Sequence, residues 1–457
     1  MKRTVSLIAC ILLLCSVVLS VVACGPNEAV DELVVYNWAD YIYDYEDAFK
    51  AHYKAVTGRD IEVTYVTFDT NETMLARLTQ GDSNVDVVCP SEYAIQKMIE
   101  LDMLQPLYYF DEASYTKGMN IANPAEYTHN SGNVEGQILS MVGEAFTEFS
   151  MADYFVPYMY GTLGLLYNKY AFEKYGITPE MMNDANWGIL FNDNGLGGGI
   201  GSLSKELKGS ILMKDSIRDS YAATIFYLLE SGRLDGLTNP DGELYTEMSI
   251  GQLINEVDDQ LLELCEEVLV AQKSQLFGYE VDFGKDDLLQ GNAIVDLAWS
   301  GDALYAVEES WSDDLGEDGD YELAYYVPHG AGNIWFDGWV MPKNCKNPTA
   351  AKLFINFLNS PQSAAANILE IGYTSAVDPE VLRESTAAKE VLCRGYLVYA
   401  PEYWDLTIKE KKTTKVLTED DCDFASWEEF EEYFFDNFDN FEGTNWRYPF
   451  MANPNPV

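Results

Sequence analysis

Four short segments of this chain set an aromatic ring beside a carboxylate or hydroxyl: Trp38-Ala39-Asp40-Tyr41, Ser91-Glu92-Tyr93, Trp299-Ser300-Gly301-Asp302 and Trp335-Phe336-Asp337. Aromatic faces attract ammonium groups by ~0.5–2 kcal/mol each. Carboxylates add charge-assisted hydrogen bonds of about 1.5–3 kcal/mol. If the segments converge, they form a slot of indole faces capped by acids. Methylene chains lie flat on indole, so such a slot suits an aliphatic polyamine, and two spaced acids would measure its length. Each segment alone has a plainer explanation. A tryptophan at a strand end commonly belongs to core or rim, and a lone aspartate is commonly solvated or caps a helix. Only the joint recurrence points to a site.

The elements that must position these residues alternate between β and α patterns. Glu32–Tyr36, Ile61–Val66 and Val85–Cys89 read as strands. Asp44–Val56, Asn71 to Gly81 and Ser91 to Leu101 read as the helices between and after them. Strand–helix–strand units of this length build a parallel sheet, whose ligands bind in loops after the carboxyl ends of the strands. Asn37-Trp38 and Pro90-Ser91-Glu92-Tyr93 fall at such ends. Residues 107–153 are weakly patterned and read as an elaborated loop region. An extended run from Phe155 opens a second α/β unit, with helices near Ser216–Leu229 and Ile254–Gln272 and strands over Ala293–Ala298, Tyr321–Val327 and Ile334–Trp339. Asn347-Pro348 and Ser360-Pro361 are paired cap and first-turn signals for two further helices, the second stopped by Gly372.

Other chemistries lack their residues. The three histidines, His52, His129 and His329, fall in no metal-ligand spacing, and no G-x-S-x-G elbow is present. The glycine-rich stretch Asn192–Gly201 lacks the lysine of a phosphate loop and reads as a flexible connection. No metal and no cofactor is expected. Paired acids beside tryptophan platforms also suit glycoside hydrolysis, and that alternative stays open. So does a binding site for another solute, such as a sugar, an opine or an amino-acid derivative. The formal charge of −47 excludes nucleic acid as a natural partner and favours the approach of cations.

Met1-Lys2-Arg3, an apolar run from Val5 to Val22 and Ala23-Cys24-Gly25 describe a secretory signal. Val21-Val22-Ala23-Cys24 has the form of a lipobox, in which the Cys24 thiol is acylated after cleavage. A plain signal peptide or an uncleaved anchor is the alternative. Two or three acyl chains would tether the protein firmly to the outer face of the membrane. Five cysteines remain beyond Cys24, at 89, 265, 345, 393 and 422, in no zinc pattern; a disulfide or free thiols are equally compatible with them.

The chain resembles the spermidine/putrescine-binding proteins of bacterial polyamine ABC transporters. The resemblance rests on Val35-Tyr36-Asn37-Trp38-Ala39-Asp40-Tyr41, Asp69-Thr70-Asn71-Glu72-Thr73-Met74, Pro90-Ser91-Glu92-Tyr93, Pro157-Tyr158-Met159-Tyr160-Gly161, Asp215-Ser216-Ile217-Arg218-Asp219, Trp299-Ser300-Gly301-Asp302, Trp335-Phe336-Asp337-Gly338 and Ile371-Gly372-Tyr373, in family order. It implies an α/β, two-lobed periplasmic-binding-protein-like fold of type II. Each lobe is then a mixed sheet flanked by helices, and crossing strands form the hinge. Residues 1–23 would be the signal and 24–30 a tether. Residues 31–157 with about 335–380 would form one lobe, and 158–334 with about 381–457 the other, including an acidic, aromatic carboxyl-terminal extension.

Carried over residue by residue, the resemblance gives Trp38, Trp299 and Trp335 the aliphatic chain to sandwich, with Tyr41, Tyr93 and Tyr373 lining the slot. Asp337 would hold one ammonium, and Asp219 the opposite end or middle amine. Asp302 matches an acid of putrescine-preferring members, Ser91 offers a hydroxyl or backbone contact, and Asp40 matches an acid of the same loop as Trp38. Ala39 and Ser216 depart from the family pattern, Ser216 standing where spermidine binders place a further acid. Trp335 and Asp302 give opposite indications of ligand preference. Glu92 is an unusual acid beside the site and is expected to be solvated rather than an amine contact. The implied partners are a polyamine, the permease pair and its ATPase, with the protein a monomer that itself catalyses nothing.

Overall fold

Leu33, Val35, Tyr36 and Asn37 are all buried, so the first strand is covered on both faces, and its nearly continuous apolar run marks it as the centre of a parallel sheet. In the computed structural model, residues 30–80, 84–145, 150–177, 182, 185–192, 207–310 and 323–385 are described. The signal segment, Cys24 and most of the tether lie outside them, as do the glycine-rich stretch beyond Asn192, Cys393, Cys422 and the acidic extension. The strands are β1 (Asp31–Trp38), β2 (Ile61–Phe68), β3 (Val87–Val88), β4 (Leu104–Gln105), β5 (Val156–Gly161), β6 (Leu163–Asn168), β7 (Ile211–Lys214), β8 (Leu276–Glu280), β9 (Val295–Trp299), β10 (Leu323–Tyr326), β11 (Trp335–Trp339), β12 (Met341–Pro342) and β13 (Thr374–Ser375).

Two strand systems share one plan. In the first, β1 lies between β2 and β3, parallel to both. Antiparallel bridges from Val88 to Val340 and from Ser91 to Asp337 join β3 to β11, which pairs antiparallel with β5. In the second, β7 lies between β8 and β9, parallel to both, and β9 pairs antiparallel with β6, which pairs with β10. The orders β2-β1-β3-β11-β5 and β8-β7-β9-β6-β10 therefore correspond, the first continuing to β13 beyond β5. In each system the fourth strand arrives from the other system and the fifth leaves for it. The chain crosses at Thr162 and again over residues 327–334. The crossings are tied together, since the Leu163 amide donates to Asn333 Oδ1 at 3.1 Å.

Helices cover both systems, and their ends follow local chemistry. Thr70 caps Asn71–Thr79 in a capping box with Thr73. Asn347 and Ser360 accept from the third residues of their Pro-led helices, Pro348–Leu358 and Pro361–Ile371. Gly372 ends the latter in the left-handed conformation, φ 69°, which costs glycine nothing. Phe49, Tyr53 and Val56 recur at helical spacing along Glu46–Thr57 and are fully buried, with Phe49 edge-on to Phe354 at 5.1 Å. Each such ring contributes roughly 1.5–3 kcal/mol by leaving water.

The structure corrects three expectations. Residues 107–153 hold helices over Gly136–Ala145 and Met151–Tyr154 rather than loop alone. The single helix expected over Ile254–Gln272 is two, Ile250–Leu253 and Asp259–Gln272, because Asp258 accepts from Leu261 N at 3.0 Å and starts a new one. The strand expected over Val85–Cys89 is regular only at Val87 and Val88, although the Asp86 and Cys89 amides also donate to Val34 O and Tyr36 O of β1. Cys89, Cys265 and Cys345 are free thiols. No helix among the described residues is long and apolar enough to cross a membrane.

Candidate functional site

Trp38 is the last residue of β1 and Trp299 the last of β9. Trp335 is the first residue of β11, which runs against the parallel strands, so it too lies at their carboxyl edge. Between the two strand systems a cavity of ≈ 350 Å³ opens at these edges. All eleven candidates line it: Trp38, Asp40, Tyr41, Ser91, Tyr93, Asp219, Trp299, Asp302, Trp335, Asp337 and Tyr373. Segments up to 335 residues apart in the chain meet there because each follows or begins a strand at that edge.

Close approach of the rings depends on two glycines. A Cβ on Gly301 would fall 2.2 Å from the Tyr373 ring, and one on Gly161 would fall 2.6 Å from Trp335 Cζ2. Tyr373 follows the helix-ending Gly372 and packs edge-on against Trp335 at 5.4 Å and Tyr41 at 5.2 Å. Asp40 takes a left-handed conformation, φ 47°, turning the chain sharply after β1. Asn71, buried beneath the cavity, donates to Ser91 Oγ and Tyr93 OH, both at 3.0 Å, and accepts from Ser91 N at 3.2 Å. It was present in the sequence only as part of a helix start, and its locking role depends on contacts twenty residues away.

Asp337 is 5 % exposed, and its Oδ1 has no hydrogen-bond partner among the described residues. Burial pushes its pKa up to about 7; the Ser91 hydroxyl opposes the rise and the Glu92 charge adds to it. The indole N–H groups of Trp38 and Trp335 are likewise buried without partners among the described residues. Glu92 departs from expectation. Its carboxylate faces inward, accepting from Phe336 N at 3.1 Å, and burial raises its pKa. The pairing of β3 with β11 turns it in: Ser91 bridges Asp337 and so sets Glu92 beneath the start of β11.

The opposite wall comes from the second strand system. Ser216 caps the helix Ile217–Glu230 and accepts from Asp219 N at 3.4 Å, fixing Asp219, whose Oδ2 accepts from Trp299 Nε1 at 3.3 Å. Burial raises the Asp219 pKa, partly offset by Ser216. One face of Trp299 is taken by Lys214, whose Nζ lies 4.4 Å from the ring centroid. Lys214 is itself buried in an ion pair with Glu280, and Asp296 and Glu280 more than offset the burial that would otherwise discharge it. A ligand chain can therefore stack only on the other face of this indole. Asp302 accepts from Lys285 at 3.3 Å. Arg218 lies over the Tyr93 ring at 5.4 Å, a contact between the two walls.

The arrangement is a slot of indoles and phenols in which burial raises the pKa of Asp337, Glu92 and Asp219. Such groups gain most from a bound cation, which restores the charged form that burial disfavours. Residues 47–391 match the bacterial extracellular solute-binding protein family. The chain belongs to that family. It is 25 % identical over 344 residues to the spermidine/putrescine-binding periplasmic protein of Salmonella typhimurium, covering 75 % of this chain and 77 % of that one. It is 23 % identical to the putrescine-binding periplasmic protein PotF of Escherichia coli, again covering 75 % and 77 %. A solved structure from Listeria monocytogenes, provisionally named a spermidine/putrescine ABC transporter, superposes with a TM-score of 0.54 at 25 % identity, over 90 % of this chain and 99 % of that one. The fold is the two-lobed one of periplasmic binding proteins, with a mixed sheet in each lobe and crossing strands between.

Proposed function

We propose that this protein captures a polyamine, putrescine or spermidine, outside the cytoplasm and delivers it to the permease of an ABC importer. The observation that carries the proposal is the buried, unpartnered carboxylate oxygen of Asp337 in a slot faced by Trp38, Trp299 and Trp335. One ammonium docks at Asp337 and a second on the Asp219 side, with methylenes between the indoles and Tyr41, Tyr93 and Tyr373 closing the flanks. Ser91, Asp40 and Asp302 complete the polar rim, and Glu92 is a further acid within reach. The matching of this chain to relatives named for spermidine and putrescine supports the same ligand class.

The working division stays residues 31–157 with about 335–380 in one lobe and 158–334 with about 381–457 in the other; the pairing of β5 with β11 as far as Gly161 supports a boundary a few residues after 157. Ligand touching both walls favours the closed state by its differential affinity for it. A lipid on Cys24 tethers the monomer near the permease, whose ATPase supplies the energy. A carboxylate-bearing solute would need Arg218 or Lys285, and both already hold protein partners. Calorimetric titration with putrescine, spermidine, their N-acetylated forms and a neutral sugar tests the proposal. Saturable binding of the free amines, weakened by acetylation, is expected; equal binding of the acetylated forms, or of the sugar alone, refutes it.

A further inference from the structure

Glu92 is the first residue of the helix Glu92–Glu100, a position where an acid is ordinarily solvated and favoured by the helix dipole. Here the helix start is drawn under β11 instead. Ser91 bridges Asp337, the Gly338 amide donates to Pro90 O at 3.1 Å, and Asn71 holds Ser91 in place. The Glu92 side chain is thereby turned to the cavity wall, where one oxygen accepts from the Phe336 amide at 3.1 Å.

That hydrogen bond does not account for the charge. A glutamine would accept from the same amide without drawing a carboxylate out of water, a cost that a nearby cation offsets. Among the described residues Glu92 forms no ion pair. The cation whose field reaches it is Arg218, which donates to Ile254 O and Asn255 Oδ1, both at 2.9 Å. The acids around it come from both walls. Asp219, on the opposite one, acts on Glu92, while Glu92 and Asp219 both act on Asp337. Glu92 therefore stands within electrostatic reach of both ends of the slot.

Resting on the polyamine assignment above, we propose that Glu92 acts on both ammonium groups of a bound diamine and so sets the preference of the cleft for doubly over singly charged amines. Asp337 and Asp219 each face one end of the ligand. A carboxylate that reaches both ends contributes once for each positive charge, so its factor in the affinity of a dication is the square of its factor for a monocation.

The test compares putrescine with 4-aminobutanol, which keeps the chain and carries a hydroxyl in place of one ammonium. Glu92→Gln retains the acceptor for the Phe336 amide and removes only the charge. At pH 8 it should lower putrescine affinity about tenfold and that of the amino alcohol about threefold. Glu266→Gln, on the exposed face of the helix Asp259–Gln272, should change either affinity by less than about twofold. Urea unfolding verifies folding, and Glu92→Asn takes the place of Glu92→Gln if that variant does not fold. Unchanged putrescine affinity, equal losses for the two ligands, or the same losses in Glu266→Gln overturn the role of Glu92 and leave polyamine binding intact. Equal affinity of the unmodified protein for the two ligands, or no binding of putrescine, also overturns it. Failure to bind spermidine as well as putrescine overturns the polyamine assignment and this inference with it.

Discussion

Replacing Asp337 with asparagine should make the ligand-free protein more stable and a poorer binder at the same time. Its carboxyl stands at 3.8 when unperturbed and at about 7 when buried in the fold. At roughly 1.4 kcal/mol per unit, the difference corresponds to about 4 kcal/mol of destabilisation, an upper bound. The sign follows from which state holds the proton. Below about pH 4 both folded and unfolded states are protonated and the penalty is absent; it grows as pH rises and is complete above about pH 7. Asparagine has nearly the same shape and no charge to bury. Asp337→Asn should therefore raise the unfolding free energy by about 2–4 kcal/mol at pH 8, and by little at pH 4, its amide leaving some hydrogen bonding unmet. Putrescine affinity should fall by about ten- to a hundredfold with the loss of one charge-assisted contact. Urea unfolding at both pH values and calorimetric titration at pH 8 measure the two effects. A stability gain that does not depend on pH would show that the buried charge is not the source of the strain. Undiminished putrescine affinity would remove Asp337 as an ammonium anchor.

Two further outcomes follow from the same geometry. Putrescine binding should weaken by about twenty-fold between pH 7.5 and 5.5, because a ligand arriving below pH 7 must displace the Asp337 proton; titrations in buffers of different ionisation enthalpy should show proton release on binding. Gly301→Ala places a Cβ 2.2 Å from the Tyr373 ring, so it should cost about 1–3 kcal/mol of stability and weaken amine binding as that ring is displaced; melting temperature and titration together detect it.

Much of the architecture was legible because local chemistry dictates it. The Asn347-Pro348 and Ser360-Pro361 starts and the Gly372 stop carry their own hydrogen-bond and dihedral logic, and each appears where its residues require. The helix Gly136–Ala145 was illegible for the opposite reason: it begins on a glycine, and its apolar positions are interrupted by serine and a second glycine. The tryptophans and acids of the slot could be nominated from their places at strand ends, since the carboxyl edge of a parallel sheet is where such loops gather.

Charge state and pairing belonged to the tertiary structure alone. Glu92 reads as a surface acid until β11 is laid beside it, when Phe336 N, 244 residues away in the chain, meets its carboxylate. Lys214 stacks on Trp299 and Lys285 neutralises Asp302 only because β7, β8 and β9 are neighbours in one sheet. A residue's type and spacing determine which interactions it is able to make. Which partner it meets, and how much water stands between them, is decided by the packing of segments that the chain order keeps apart.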